Sequence, residues 1–140
     1  MIVDASVILM AFFPDEEGQV QAQALLRAHA LGSIELRGPD LLAYEVTNAV
    51  LQAVRRQRIT LETAQEILAA FEALMISLQP VSPAEVLVMA HRFDRSAYDA
   101  AYLALTETLG TQFITGDRRL FNAVSEALPW VLWLGDYQSV

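Results

Sequence analysis

The chain has 140 residues, no cysteine and a net charge of −8, and all nine of its basic residues are arginine. The missing cysteine excludes disulfides, thiolate catalysis and cysteine-based zinc sites. The missing lysine excludes a Walker-type phosphate loop and Schiff-base chemistry. The acidic balance argues against broad, field-driven nucleic-acid binding, but not against phosphate contact through metal ions.

At this length one domain, spanning residues 1–140, is expected. The longest apolar run, Val7 to Phe13, is far shorter than the ~20 residues a membrane helix needs. With no basic leader or cleavage site at the amino end, the expected location is the cytoplasm.

In chain order, Met1 to Asp4 reads as an apolar strand ending in an acid, followed by a short helix that Pro14 stops. A second helix spans Gln19 to Leu31, with Gly32 as its C-terminal cap. Ile34 to Leu36 reads as a short strand, and Gly38-Pro39-Asp40 as a turn with Asp40 as N-cap. The helix from Leu41 has apolar residues at helical spacing, closes on Arg55, Arg56 and Arg58, and carries Glu45 on its apolar face. Thr60 opens a helix to about Met75, and Ile76 to Val81 forms a strand interrupted by Pro80. Ser82-Pro83-Ala84-Glu85 is a strong helix start, its helix running to about Phe93.

The helix after Ser96 is apolar on nearly every face, the mark of a buried helix, yet Asp99 lies in its first turn. Gln112 to Thr115 forms the next strand, and Asp117 stands just beyond its carboxyl end, where open α/β sheets place ligands. A helix from Arg118 to Ala127 and a strand from Trp130 to Leu134 complete the chain. Strands alternating with helices predict an α/β fold with a mainly parallel sheet.

Four acids stand out by context: Asp4, Glu45, Asp99 and Asp117. Each has an ordinary structural reading, for Asp4 and Asp117 as N-caps and for Asp99 in a capping box. Glu45 resists one, because an unpaired buried carboxylate costs several kcal/mol or stays protonated. Carboxylates gathered without cysteine or paired histidines suit hard divalent cations, Mg²⁺ or Mn²⁺, and with them hydrolysis of phosphodiesters.

The motifs VDAS, YEVTNAV, SAYDAAYLAL and ITGDRRLF resemble a PIN domain, specifically the VapC-type toxin ribonucleases, over essentially the whole chain. The resemblance implies a three-layer α/β/α fold and an Mg²⁺- or Mn²⁺-dependent endoribonuclease. Asp4, Glu45, Asp99 and Asp117 would form its catalytic metal pocket. Ser6 and Thr115 would orient a carboxylate or a water, with local capping as the ordinary alternative. The reaction expected is in-line attack by water on an RNA phosphodiester, leaving a 5′-phosphate and a 3′-hydroxyl.

Arg118 and Arg119 are candidates to touch substrate phosphate, against an ordinary solvated helix face. Arg55, Arg56 and Arg58 read first as helix-end electrostatics and only second as an RNA path. His29 and His91 show no ligand spacing and read as surface or packing residues. The family implies an antitoxin partner and a homodimer. The rival functions are a stand-alone RNA-processing nuclease, a non-catalytic PIN-fold binding module and a phosphatase or phospho-receiver domain; the missing lysine disfavours the last.

Overall fold

The computed structural model describes residues 1–139. Its strands are β1 (Ile2–Val3), β2 (Arg37–Pro39), β3 (Ser77–Gln79), β4 (Phe113–Thr115) and β5 (Val131–Trp133). Its helices are α1 (Ala5–Phe12), α2 (Gln19–Ala30), α3 (Leu41–Arg55), α4 (Leu61–Ala73), α5 (Pro83–Phe93), α6 (Ala97–Leu109) and α7 (Arg118–Val124). All neighbouring strands pair in parallel, in the order β3-β2-β1-β4-β5.

That order defines where a ligand belongs. From β1 the chain winds outward to β2 and β3, then returns to β4 and β5 on the other side of β1. The right-handed crossover rule puts α1–α4 on one face and α5–α7 on the other, giving three α/β/α layers. The winding reverses between β1 and β4, so the crevice of this sheet opens beyond the carboxyl ends of these two strands.

The local signals act largely as expected. Thr60, Ser82 and Ser96 cap α4, α5 and α6, accepting from the amides of Thr63, Glu85 and Asp99. Gly32 adopts φ +75°, and the amides of Gly32 and Ser33 return to the carbonyls of His29 and Ala28, a Schellman motif that ends α2. No helix among the described residues is long and apolar enough to cross a membrane.

Two segments differ from expectation. The second strand is Arg37–Pro39 rather than Ile34–Leu36, so the supposed turn Gly38-Pro39 lies inside the sheet. Gly38 is needed there because a Cβ would meet Leu42 Cδ2 at 2.8 Å, and Leu42 is fully buried where α3 crosses β2. Pro39 is tolerated because β1 and β2 pair at Ile2 and Arg37, which leaves Pro39 paired with Gln79 of β3 and not with β1. Asp40 precedes α3 but makes no side-chain capping bond; its own backbone is helical, and its amide donates to the Gln79 carbonyl at 2.8 Å. The helix after Asp117 also ends at Val124, short of Ala127.

His29 is more than a surface or packing residue. Its Nδ1 accepts from the Leu36 amide at 3.1 Å, and its Nε2 lies 2.8 Å from the Leu74 carbonyl. It thereby ties the end of α2 to the approach to β2 and to the end of α4.

Candidate active site

The crevice between β1 and β4 holds Asp4 and Asp117, one immediately after β1 and the other two residues after β4. Asp4 is N-cap of α1 and is buried at 5% exposure. Its Oδ1 accepts from the Ser6 hydroxyl and, at 3.3 Å, from the Val7 amide; its Oδ2 accepts from the Thr115 hydroxyl at 2.5 Å. Both hydroxyls also accept backbone amides, Ser6 that of Gly116 at 2.9 Å and Thr115 that of Asp117 at 3.0 Å. Ser6 and Thr115 therefore lock the exit of β4 onto the Asp4 carboxylate.

Gly116 lets α1 pack close beside this exit. A Cβ there would come within 2.5 Å of Met10 Sδ and 3.3 Å of the Ser6 hydroxyl. Asp117 is N-cap of α7, its Oδ1 accepting the amides of Arg119 and Leu120 at 3.0 and 3.2 Å. The ordinary capping readings of Asp4 and Asp117 thus hold as local structure, and capping is what fixes each carboxylate at its strand end.

The other two acids come from helices. Asp99 is half-buried in the first turn of α6, where Ser96 caps its amide at 3.1 Å. Among the described residues no hydrogen bond engages its carboxylate. Glu45 is half-buried on α3 and accepts from the Tyr102 hydroxyl at 2.6 Å. Tyr102 lies one turn beyond Asp99 on α6 and stacks on Phe113 of β4, with ring centroids 5.7 Å apart. Tyr102 is a partner of these acids that the sequence reading missed, because an aromatic in an apolar helix reads as core.

The electrostatics link the four acids. Burial pushes Asp4 up from 3.8 to about 6, against its hydrogen bonds from Ser6, Thr115 and Val7, and the Asp117 charge raises it further. Burial likewise raises Asp99, with Asp117 adding to the rise and Arg95 opposing it. Burial raises Glu45, with Asp99 adding and the Tyr102 hydrogen bond opposing. Tyr102 is itself held well above the ordinary phenol range by burial and by Glu45. The acids repel one another from Asp4 through Asp117 and Asp99 to Glu45, and Arg95 offsets part of this at Asp99.

This donor set fits a hard divalent cation. It offers carboxylate oxygens only, partly desolvated and mutually repelling, so a cation among them would relieve both penalties. Among the described residues no three acidic or imidazole side chains lie close enough together to enclose an ion.

Arg118 and Arg119 are both exposed at the start of α7. The Arg118 guanidinium lies 4.1 Å from the centre of the Trp133 ring, which also packs against Phe121. Trp133 thus fixes the direction of Arg118, while the Arg119 amide donates to the Asp117 cap.

The PIN domain family profile matches residues 1–127. The chain belongs to the PIN domain family. It is 33% identical over 124 residues to ribonuclease VapC3 of Pyrobaculum aerophilum, covering 86% of this chain and 91% of that relative. It is 30% identical over 129 residues to ribonuclease VapC9 of Mycobacterium tuberculosis, covering 92% and 94%. In fold it is similar to the crystal structure of PAE2754 from Pyrobaculum aerophilum, with a TM-score of 0.72 at 22% identity over 95% of this chain and 89% of that one.

Proposed function

We propose that this chain is a single PIN domain acting as a divalent-metal-dependent endoribonuclease of the VapC type. The observation that carries the reading is a run of four carboxylates, each repelling the next, that starts at the sheet's winding reversal with Asp4 and Asp117, three of them raised by burial and by one another. Relatives named VapC ribonucleases, matched over most of their length, support the same activity.

Asp4, Glu45, Asp99 and Asp117 would hold Mg²⁺ or Mn²⁺. Asp117 Oδ2, Glu45 Oε2 and both Asp99 oxygens have no hydrogen-bond partner among the described residues. What the ion would supply is neutralisation of phosphate charge and a water acidified toward neutral pH.

The chain's own residues do the positioning. Ser6 and Thr115 orient Asp4 and hold Asp117 beside it, and Tyr102 aims Glu45. Arg118, steadied on Trp133, and Arg119 would contact the phosphate of a bound strand, a reading supported by their exposure beside the Asp117 cap.

The biological reading is the toxin of a toxin–antitoxin pair, acting in the cytoplasm, with an antitoxin protein as partner and a homodimer as the working form. Leu87 and Val88 on α5, 70% and 68% exposed, support self-association through that helix. Calorimetric titration with Mn²⁺ separates the nuclease from a binding-only module. Heat of binding that Asp99→Asn abolishes supports the nuclease, and no heat from the unaltered protein contradicts it. Co-purification with the product of the neighbouring gene, with relief of inhibition on its removal, separates the toxin from a stand-alone RNA-processing enzyme.

A further inference from the structure

We infer that the RNA strand leaves the acidic site along the groove between α1 and α3, with Arg56 and Arg58 on its phosphates. The inference rests on the nuclease reading and adds the direction of the strand and the residues that hold it. At about 100° per residue, Ala49, Gln52 and Arg56 lie within roughly 40° of Glu45 around α3, so they continue the stripe on which Glu45 sits. A groove of about 290 Å³ opens along that stripe, between α1 and α3, one turn beyond Glu45. Its lining includes Phe13, Ala49, Gln52, Arg56 and Arg58, with Glu16 as its one acid. Arg56 lies eleven residues past Glu45, about 16 Å along the helix axis, a few nucleotides from a phosphate held at the acids.

Charge decides the occupant. In a chain of net charge −8, this groove carries two arginines against one glutamate. Both arginines are exposed, and the one salt bridge among the described residues joins Arg37 to Glu35, elsewhere. Arg58 lies over the buried Phe13 ring, 5.1 Å from its centre, which steadies the guanidinium without neutralising it. A polyanion whose scissile phosphate sits among repelling carboxylates needs positive contacts away from them, and this groove supplies them in line with Glu45. Arg55 points roughly 100° away from Arg56 around the helix and does not line the groove, which makes it the internal control.

The test is fluorescence anisotropy with a labelled single-stranded RNA twelve-mer in Mg²⁺, on an Asp99→Asn background that leaves the RNA uncut. Cleavage by the unaltered protein is followed in parallel. Arg56→Gln and Arg58→Gln are each expected to weaken binding about fivefold and to flatten the dependence of log affinity on log salt by about 0.7, the loss of one phosphate contact. Arg55→Gln, with the same change of charge, is expected to leave both within twofold. Arg58→Gln also removes the contact with Phe13, so Arg56→Gln carries the inference if Arg58→Gln lowers the melting temperature. Equal losses in Arg55→Gln and Arg56→Gln would reduce the effect to bulk charge and overturn the groove. Cleavage and binding that Arg56→Gln leaves untouched would overturn the groove and keep the nuclease. Loss of affinity for an acidic peptide but not for RNA would replace the RNA strand with a polypeptide. An unaltered protein that neither cuts nor binds RNA would overturn both readings.

Discussion

Replacing Asp4 with asparagine is expected to stabilise the metal-free protein while removing its activity. Asp4 is buried, and its carboxyl stands at about 6 against 3.8 in the open chain, which corresponds to about 3 kcal/mol spent on ionising it in the fold. Between these values the folded state binds more protons than the unfolded one. Stability in EDTA therefore falls as pH rises from about 4 through 6, and the whole penalty is present above 6. Asparagine keeps the shape of the protonated acid and never pays it. The Ser6 and Thr115 hydroxyls are left with poorer partners than a carboxylate, at a cost of about 1 kcal/mol. The net expectation is about 2 kcal/mol of added stability at pH 7.5, or roughly 4–8 °C in melting temperature for a chain of this size. At pH 4.5, where Asp4 is protonated in the folded protein, the gain should vanish. The assay is thermal or urea unfolding of both proteins in EDTA at the two pH values, taking the difference between them. A variant less stable than the parent at pH 7.5, or one with equal gains at both, would refute the reasoning. In saturating Mg²⁺ or Mn²⁺ the parent should recover most of the deficit, because the ion offsets the burial and the repulsion of an ionised Asp4 carboxyl, which the variant lacks.

Other perturbations follow from contacts already described. Tyr102→Phe keeps the stack on Phe113 but leaves the half-buried Glu45 without its donor. It is expected to cost about 1–3 kcal/mol by urea unfolding, with about a tenfold loss in RNA cleavage; a variant equal to the parent in both would remove Tyr102 from the site. His29→Ala leaves the Leu36 amide and the Leu74 carbonyl unpaired and should cost about 2–4 kcal/mol, with cleavage of the folded fraction unchanged. Gly38→Ala drives a methyl against the fully buried Leu42 and should cost about 1–3 kcal/mol; a neutral result would show that α3 can shift away from β2.

The elements that the sequence showed most plainly were those with local signals. The serine and threonine caps, the Pro83 start of α5 and the all-round apolar α6 depend on neighbours a few residues away, and the structure has them where they were expected. The second strand was misplaced because apolarity favoured Ile34–Leu36, whereas pairing is set by the partner strands: Arg37 to Pro39 match Ser77 to Gln79. No window along the chain contains that information.

The four acids stood out in the sequence because a carboxylate at a strand end or on an apolar helix face breaks the expected pattern. Tyr102 was not readable, because its partner Glu45 is 57 residues away and a tyrosine on a buried helix needs no special explanation. The hydroxyls of Ser6 and Thr115 could be named from the resemblance, but not their double role. Each donates to Asp4 while accepting from the loop that leaves β4.

The most direct test of the account is cleavage of a labelled structured RNA by purified, partner-free protein in Mn²⁺, in Mg²⁺ and in EDTA, beside an Asp99→Asn variant of unchanged fold. The account predicts cutting with either metal, none in EDTA, 5′-phosphate ends on the products and no cutting by the variant. Equal cutting by parent and variant would contradict the assignment of Asp99 to the site. An absence of cutting by either under all conditions would contradict the nuclease itself.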